Sequence, residues 1–235
     1  MKDVKIEESK YHKILKIFDR PQMIVPYDIK YRKNMSEILF VNAMDFHSNK
    51  KDLNVLNIGL GAGYTTEEIL KRDYIKKLDV VEIYQEVIDL LPNFDTYDKI
   101  IHNPKLNIIC EDGKEYVKNT EEKYDIIVID LCHPDLECCK ELFEYEFYSN
   151  LEKILNKNGI ILIWYYSNLY RIKNYTIGKN IINDLDNIYN FVDFIEIPES
   201  VGKYSYFFAS NKMYNYNQNS IIYKYKNSIR FLNKN

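Results

Sequence analysis

In Leu53-Asn54-Val55-Leu56-Asn57-Ile58-Gly59-Leu60-Gly61-Ala62-Gly63 a short apolar run stops at three alternating glycines, and a helix-like segment opens at once with Tyr64-Thr65-Thr66-Glu67-Glu68. The pattern predicts a strand, a tight turn and a helix N-terminus. Glycines at this spacing let the backbone turn sharply and approach a ligand with no Cβ in the way, and the helix start offers unpaired N–H groups. Gly59, Gly61 and Gly63 are three of the chain's seven glycines. A glycine-rich turn alone also serves purely structural ends.

The residues downstream narrow the reading. The next apolar run, Leu78 to Ile83, ends in Val80-Val81-Glu82, a carboxylate about 20 residues beyond the glycines, where an open α/β sheet places the acid that accepts from ribose hydroxyls. Leu106 to Cys110 ends in Glu111-Asp112-Gly113, and Tyr124 to Leu131 carries Asp130 near its end. Strand-like runs that each finish in a glycine turn or an acid converge, in a parallel sheet, on one crevice at its C-terminal edge.

Around this core, residues 11–26 read as a β-hairpin with its turn at Asp19-Arg20-Pro21-Gln22, and residues 34–46 as a helix beneath the first strand. Helices are expected over 64–72, 85–91, 112–119, 141–155 and 174–189, with Gly159 as a C-terminal helix stop; strands are expected over 77–83, 105–110, 124–131 and 160–166. The runs 191–198 and 204–210 lie too close for a helical crossover and should pair antiparallel. The expected fold is a Rossmann-like class I methyltransferase sheet, mostly parallel with a C-terminal antiparallel hairpin. Its parts are a short N-terminal hairpin segment (1–33), a nucleoside-binding catalytic domain (34–212) and a polar tail or helix (213–235).

A net charge of −3 and a pI near 5.9 create no field for a phosphate backbone, so nucleic acid is not an expected partner. The 22 tyrosines look like coding bias and are not read as a stacking platform. The start Met1-Lys2-Asp3-Val4-Lys5 has no apolar run behind it, so neither a leader nor a membrane association is expected. Cys110, Cys132, Cys138 and Cys139 fit no disulfide framework, which points to a reducing cytoplasm. The grouping of Cys132, His133, Asp135, Cys138 and Cys139 matches no common tetrahedral spacing, and no metal is expected.

The residues quoted so far resemble the spermidine synthases and related aminopropyltransferases, over roughly 54–212. The resemblance runs through Val55 to Gly63, Val81-Glu82-Ile83, Asp112-Gly113, Tyr124-Asp125-Ile126-Ile127-Val128-Ile129-Asp130, Glu141-Leu142-Phe143, Phe147-Tyr148 and Gly202 to Ser210. It implies a sulfonium nucleoside cofactor, S-adenosylmethionine or its decarboxylated form, and a small-molecule amine acceptor, with a homodimer left open. By that resemblance Gly59, Gly61, Gly63 and Gly113 line the cofactor, Glu82 holds the ribose hydroxyls, and Asp112 takes the adenine amino group. Asp130 falls where the family has the carboxylate that orients and deprotonates the attacking amine. A sulfonium carbon is already activated, but an amine is protonated at neutral pH and must lose that proton.

The departures are equally specific. The acid that grips the aminopropyl ammonium in the family's glycine turn is Ala62 here. The second carboxylate of the family's Asp-x-x-Asp-Pro pattern is His133, a group that titrates near neutrality and a candidate replacement base. The tyrosine of the loop before Gly202 and the Leu-Asp-Gly turn of the N-terminal segment are missing. An aminopropyltransferase-like enzyme with an altered acceptor site is therefore the first expectation, an S-adenosylmethionine-dependent methyltransferase the second, and a nucleoside-binding protein without turnover the third. Trp164 and Tyr165, at the end of a strand, read either as pocket wall or as core.

Overall fold

The run Ile126-Ile127-Val128-Ile129 has no polar residue to turn toward water, and all four side chains are buried. Successive strand side chains point to opposite faces, so a continuous apolar run requires cover on both. Ile127 and Ile129 join Leu56, Ile58, Ile161, Phe147, Leu151 and Leu185 on one face. Ile126 and Val128 join Val55, Leu162, Val41, Ile69, Leu91 and Ile100 on the other. The computed structural model describes residues 4–32, 35–47, 49–131, 139–165, 172–197 and 204–212.

An N-terminal three-stranded antiparallel sheet is built from β1 (Val4–Glu8), β2 (His12–Ile17) and β3 (Arg20–Pro26), followed by α1 (Ile29–Arg32) and α2 (Ser36–Phe40). The main domain then alternates β4 (Leu53–Ile58), α3 (Tyr64–Leu70), β5 (Ile75–Glu82), α4 (Gln85–Leu90), α5 (Tyr97–Ile100), β6 (Leu106–Cys110), α6 (Gly113–Asn119), β7 (Tyr124–Ile129), α7 (Tyr145–Ile154), β8 (Leu155–Tyr165) and α8 (Ile172–Asp186), and closes with β9 (Phe191–Ile197) and β10 (Tyr204–Ser210). The seven-stranded sheet has the order β6-β5-β4-β7-β8-β10-β9. β4 lies parallel to both β5 and β7, and β10 is antiparallel to β8 and β9. The expected sheet is thus present, with its hairpin inserted by way of β10. Strand order reverses between β4 and β7, and a crevice opens outside the carboxyl ends of strands at such a switch point.

Several local expectations change. The N-terminal hairpin gains β1, and its turn is Phe18-Asp19, both with positive φ (50° and 59°). A two-residue turn of this hand matches the twist of the flanking strands. The helix expected over 34–46 is one short turn of α2 followed by a 3-10 segment, Val41–Phe46. Gly159 is not a helix stop: α7 ends at Ile154, and Leu155 is already extended (φ −82°, ψ 133°). Tyr124 pairs with Leu155 but Ile126 with Ile160, so residues 156–159 bulge from β8. The Asn156 side chain secures that bulge by donating to Asp125 Oδ1 at 2.8 Å. Tyr165 belongs to the core, its ring 5.2 Å from that of Phe207. Trp164 is half-buried against the opposite face, across from Tyr206. Cys139 is disulfide-bonded, with its partner outside the described residues, and Cys110 is a free, exposed thiol. The expectation of no disulfide therefore fails; a count of cysteines weighs whole frameworks and does not register a single bridge.

Candidate active site

Gly59 closes β4 and brings the ends of three strands together. Its N–H donates to Val81 of β5 at 2.9 Å, and Asp130 N–H donates to Ile58 of β4 at 2.9 Å. A Cβ on Gly59 would lie 2.1 Å from the Asp130 carbonyl oxygen, and its φ of 101° is in the region that favours glycine. This glycine is what lets the turn and the Asp130 backbone touch. Gly61 and Gly63 share the positive φ (52° and 79°), and Gly63 is the N-cap of α3. The buried Asn57 side chain braces the turn from inside, donating to the Gly59 carbonyl at 2.7 Å.

Glu82 ends β5 under that turn and is 7% exposed. One carboxylate oxygen accepts from Leu60 N–H at 3.1 Å, the other from Tyr84 N–H at 3.0 Å. Burial raises its carboxyl above the ordinary range, and backbone N–H groups of Tyr84, Leu60, Gly61 and Ile83 oppose that rise. An ionised carboxylate has about four lone-pair sites. The bonds from Leu60 and Tyr84 fix its plane.

Asp112 caps α6, its Oδ1 accepting from Lys114 N–H at 2.8 Å. Gly113 beside it is buried, and a Cβ there would meet Ile58 Cγ2 at 2.7 Å. β4 and α6 therefore approach more closely than a larger residue allows.

Asp130 follows β7 at the switch point, half-buried, and accepts a hydrogen bond from Thr65 Oγ1 in the first turn of α3. Loss of water pushes its carboxyl up to about 7; the charge of Glu37 adds to the rise and the Thr65 hydroxyl works against it. A carboxyl tuned to neutrality can both hold and release a proton at working pH. The structure thus brings together the glycine turn, Glu82 and Asp130, with Asp112–Gly113 on the next strand but one. His133 lies outside the described residues.

Thr65 and Glu37 are not among the residues expected from the sequence. Thr65 could have been found as the residue two past the last glycine, on the face of α3 that opens toward β7. Glu37, whose charge adds to the rise at Asp130, carries no sequence signal, because only the fold brings α2 against α3. Ala62 is fully buried in one apolar cluster with Leu15, Met23, Val25 and Met35. Where the resembling family has an acid, this chain has packed hydrocarbon. Behind this cluster, Tyr64 Oη donates to Asp95 at 2.6 Å and Arg32 pairs with the same carboxylate, tying the N-terminal segment to the main sheet.

An open sheet of this strand order, with a glycine turn after its first central strand and acids at the ends of the next ones, defines the class I fold of S-adenosylmethionine-dependent transferases. Within that class the family is specific. The model of the Spermine/spermidine synthase domain matches residues 33–220, and the chain belongs to that family. A polyamine aminopropyltransferase of Methanocaldococcus jannaschii is 39% identical over 127 residues, which take in 54% of this chain and 42% of that protein. The chain therefore matches less than half the length of this relative. Among solved structures, a spermidine synthase in complex with the transition state analogue AdoDATO superposes with a TM-score of 0.72 at 21% identity, over 98% of this chain and 82% of that one. Human methyltransferase-like protein 13 in complex with SAH gives 0.62 at 16% identity, over 75% and 82%. At these identities the two structures speak for the fold.

Proposed function

We propose that this chain is a transferase that binds a sulfonium nucleoside, decarboxylated S-adenosylmethionine in the preferred reading, and alkylates a small amine with its aminopropyl group. The observation that carries the reading is Asp130: a carboxyl held near neutrality at the switch point, beside a Glu82 whose plane is fixed by backbone N–H groups. The names borne by the relatives support the aminopropyl version.

In this reading each residue has one task. The Glu82 carboxylate accepts from the ribose hydroxyls, and the Asp112 oxygen not engaged by Lys114 accepts from the adenine amino group. Gly59 and Gly61 let the nucleoside lie against the backbone. The bound sulfonium supplies an activated carbon and a thioether leaving group. Asp130 orients the amine in line with the C–S bond and takes its proton, so that the C–N bond forms as C–S breaks and the thioether leaves uncharged. Thr65 holds the carboxylate in the aspect that faces the amine. The gain comes from positioning and proton removal rather than from further activation of the carbon.

Ala62 favours a second reading. Without an acid in the turn, nothing there selects for an aminopropyl ammonium over the amino acid arm of intact S-adenosylmethionine, and methyl transfer then becomes the chemistry. The test is to incubate the protein with each sulfonium in turn and a short diamine, and to identify the nucleoside released. Methylthioadenosine supports aminopropyl transfer. S-adenosylhomocysteine supports methyl transfer. Tight binding with neither product leaves a nucleoside-binding protein and overturns the enzyme reading.

A further inference from the structure

Asp130 and Trp164 stand at the ends of neighbouring strands, on one face of the sheet. Ile126, Ile127, Val128 and Ile129 of β7 pair in turn with Ile160, Ile161, Leu162 and Ile163 of β8. The next step of that register sets Asp130 beside Trp164, and adjacent strands lie about 4.8 Å apart. Strand residues two apart share a face. Asp130 therefore follows Ile126 and Val128, and Trp164 follows Ile160 and Leu162, on the face that Ile69 of α3 covers. The hydrogen bond from Thr65 of α3 to Asp130 agrees with this placement, as does the packing of Trp164 against the apolar cluster of the same face. Beyond Trp164 the row continues to Tyr206 of β10, its direct cross-strand partner, which is buried. Ile160 and Leu162 further in are sealed, whereas Trp164, at the carboxyl edge, keeps part of its surface open.

We propose that Trp164 determines which amine is accepted: its indole is the wall along which the arm of the acceptor lies, and the acceptor is a primary amine with a flat, apolar arm. This rests on the transferase reading above and names, within it, the class of acceptor. The nitrogen goes to Asp130, which takes its proton as the C–N bond forms and the C–S bond breaks, and the arm runs from there onto the indole. An aromatic arm set offset or edge-on to that ring gains more than its buried area alone provides. A linear diamine fits this wall less well. An indole face attracts a cation, but the far ammonium would have to leave water for a surface backed by packed hydrocarbon, and an ammonium is strongly hydrated. The glycine turn offers that charge no compensation, since Ala62 is buried in its own apolar cluster there.

Trp164 is the one tryptophan of the chain, so tryptophan emission reports on this position alone. The test uses the full chain in two measurements. Acrylamide quenching is followed as phenylethylamine is titrated in the presence of methylthioadenosine, and steady-state kinetics with decarboxylated S-adenosylmethionine compare phenylethylamine with putrescine. Phenylethylamine should shield the indole saturably from acrylamide, and its kcat/KM should exceed that of putrescine. Trp164→Ala should lower this preference ratio ~10-fold, chiefly through KM, and Trp164→Phe should restore most of it. General damage to the fold would slow both amines alike and leave the ratio in place. A wild-type preference for putrescine, a ratio that Trp164→Ala does not move, or an indole that stays equally quenchable overturns the proposal. Should Trp164→Ala fail to fold, the wild-type shielding and preference decide between the same outcomes. A wild-type protein that turns over no amine with either sulfonium refutes the transferase reading instead, and the shielding by phenylethylamine still judges the wall.

Discussion

Replacing Asp130 by Asn separates its chemical role from its structural cost. The carboxyl has an ordinary value of 3.8 and is pushed up to about 7 in the folded chain. Below pH 4 both folded and unfolded chains carry the proton, so the group has no effect on stability. Between pH 4 and pH 7 the unfolded chain ionises and the folded one does not, so the folded state loses stability as pH rises and levels off above 7. The full interval corresponds to ~4 kcal/mol. Because Asp130 is partly open to the crevice, about half of that is expected to be realised. Asn keeps an oxygen to accept from Thr65 and never ionises. Asp130→Asn should therefore match the wild type in urea unfolding near pH 4 and exceed it by about 2 kcal/mol at pH 8, while turnover falls at least ~100-fold and nucleoside binding persists. An Asn variant equally stable or less stable at both pH values would refute the claim that burial destabilises this carboxylate. Undiminished turnover would refute its role as proton acceptor.

Other substitutions test the frame around it. Gly59→Ala puts a Cβ 2.1 Å from a backbone oxygen at φ 101°; it should cost at least ~3 kcal/mol or prevent folding, as read by thermal melting. Asp112→Ser keeps an oxygen to cap α6, so stability should change by no more than ~0.5 kcal/mol while nucleoside affinity drops, a contrast that Asp112→Ala would blur by losing the cap. Glu82→Gln presents an amide N–H₂ to backbone N–H donors at one of its two positions. It should lose nucleoside binding by calorimetry and also cost ~1–3 kcal/mol in the absence of ligand.

What the sequence revealed, and what it concealed, follows from the range of the interactions. Glycines that need positive φ, and acids at the ends of apolar runs, are local signals, so the turn at 59–63, Glu82, Asp112 and Asp130 are legible in the chain as written. The parallel sheet follows from runs such as Ile126 to Ile129, which make sense only if both faces are covered. β1 is not legible: Val4-Lys5-Ile6-Glu7-Glu8 is an edge strand whose alternate charges are its protection against further pairing. Gly159 misleads because Asn-Gly at a helix end usually marks a stop, whereas here the register between β7 and β8 absorbs the extra residues in a bulge. Thr65 belongs to the site through α3 docking on strands distant in sequence, a relation that no spacing rule contains.

The assignment of this crevice to a nucleoside is tested most directly by an equilibrium titration of the wild-type protein with decarboxylated S-adenosylmethionine, repeated with Glu82→Ala. Saturable binding at one site per chain is expected, lost when the carboxylate under the glycine turn is removed. Absence of binding by the wild type, or binding that Glu82→Ala leaves intact, would contradict the assignment.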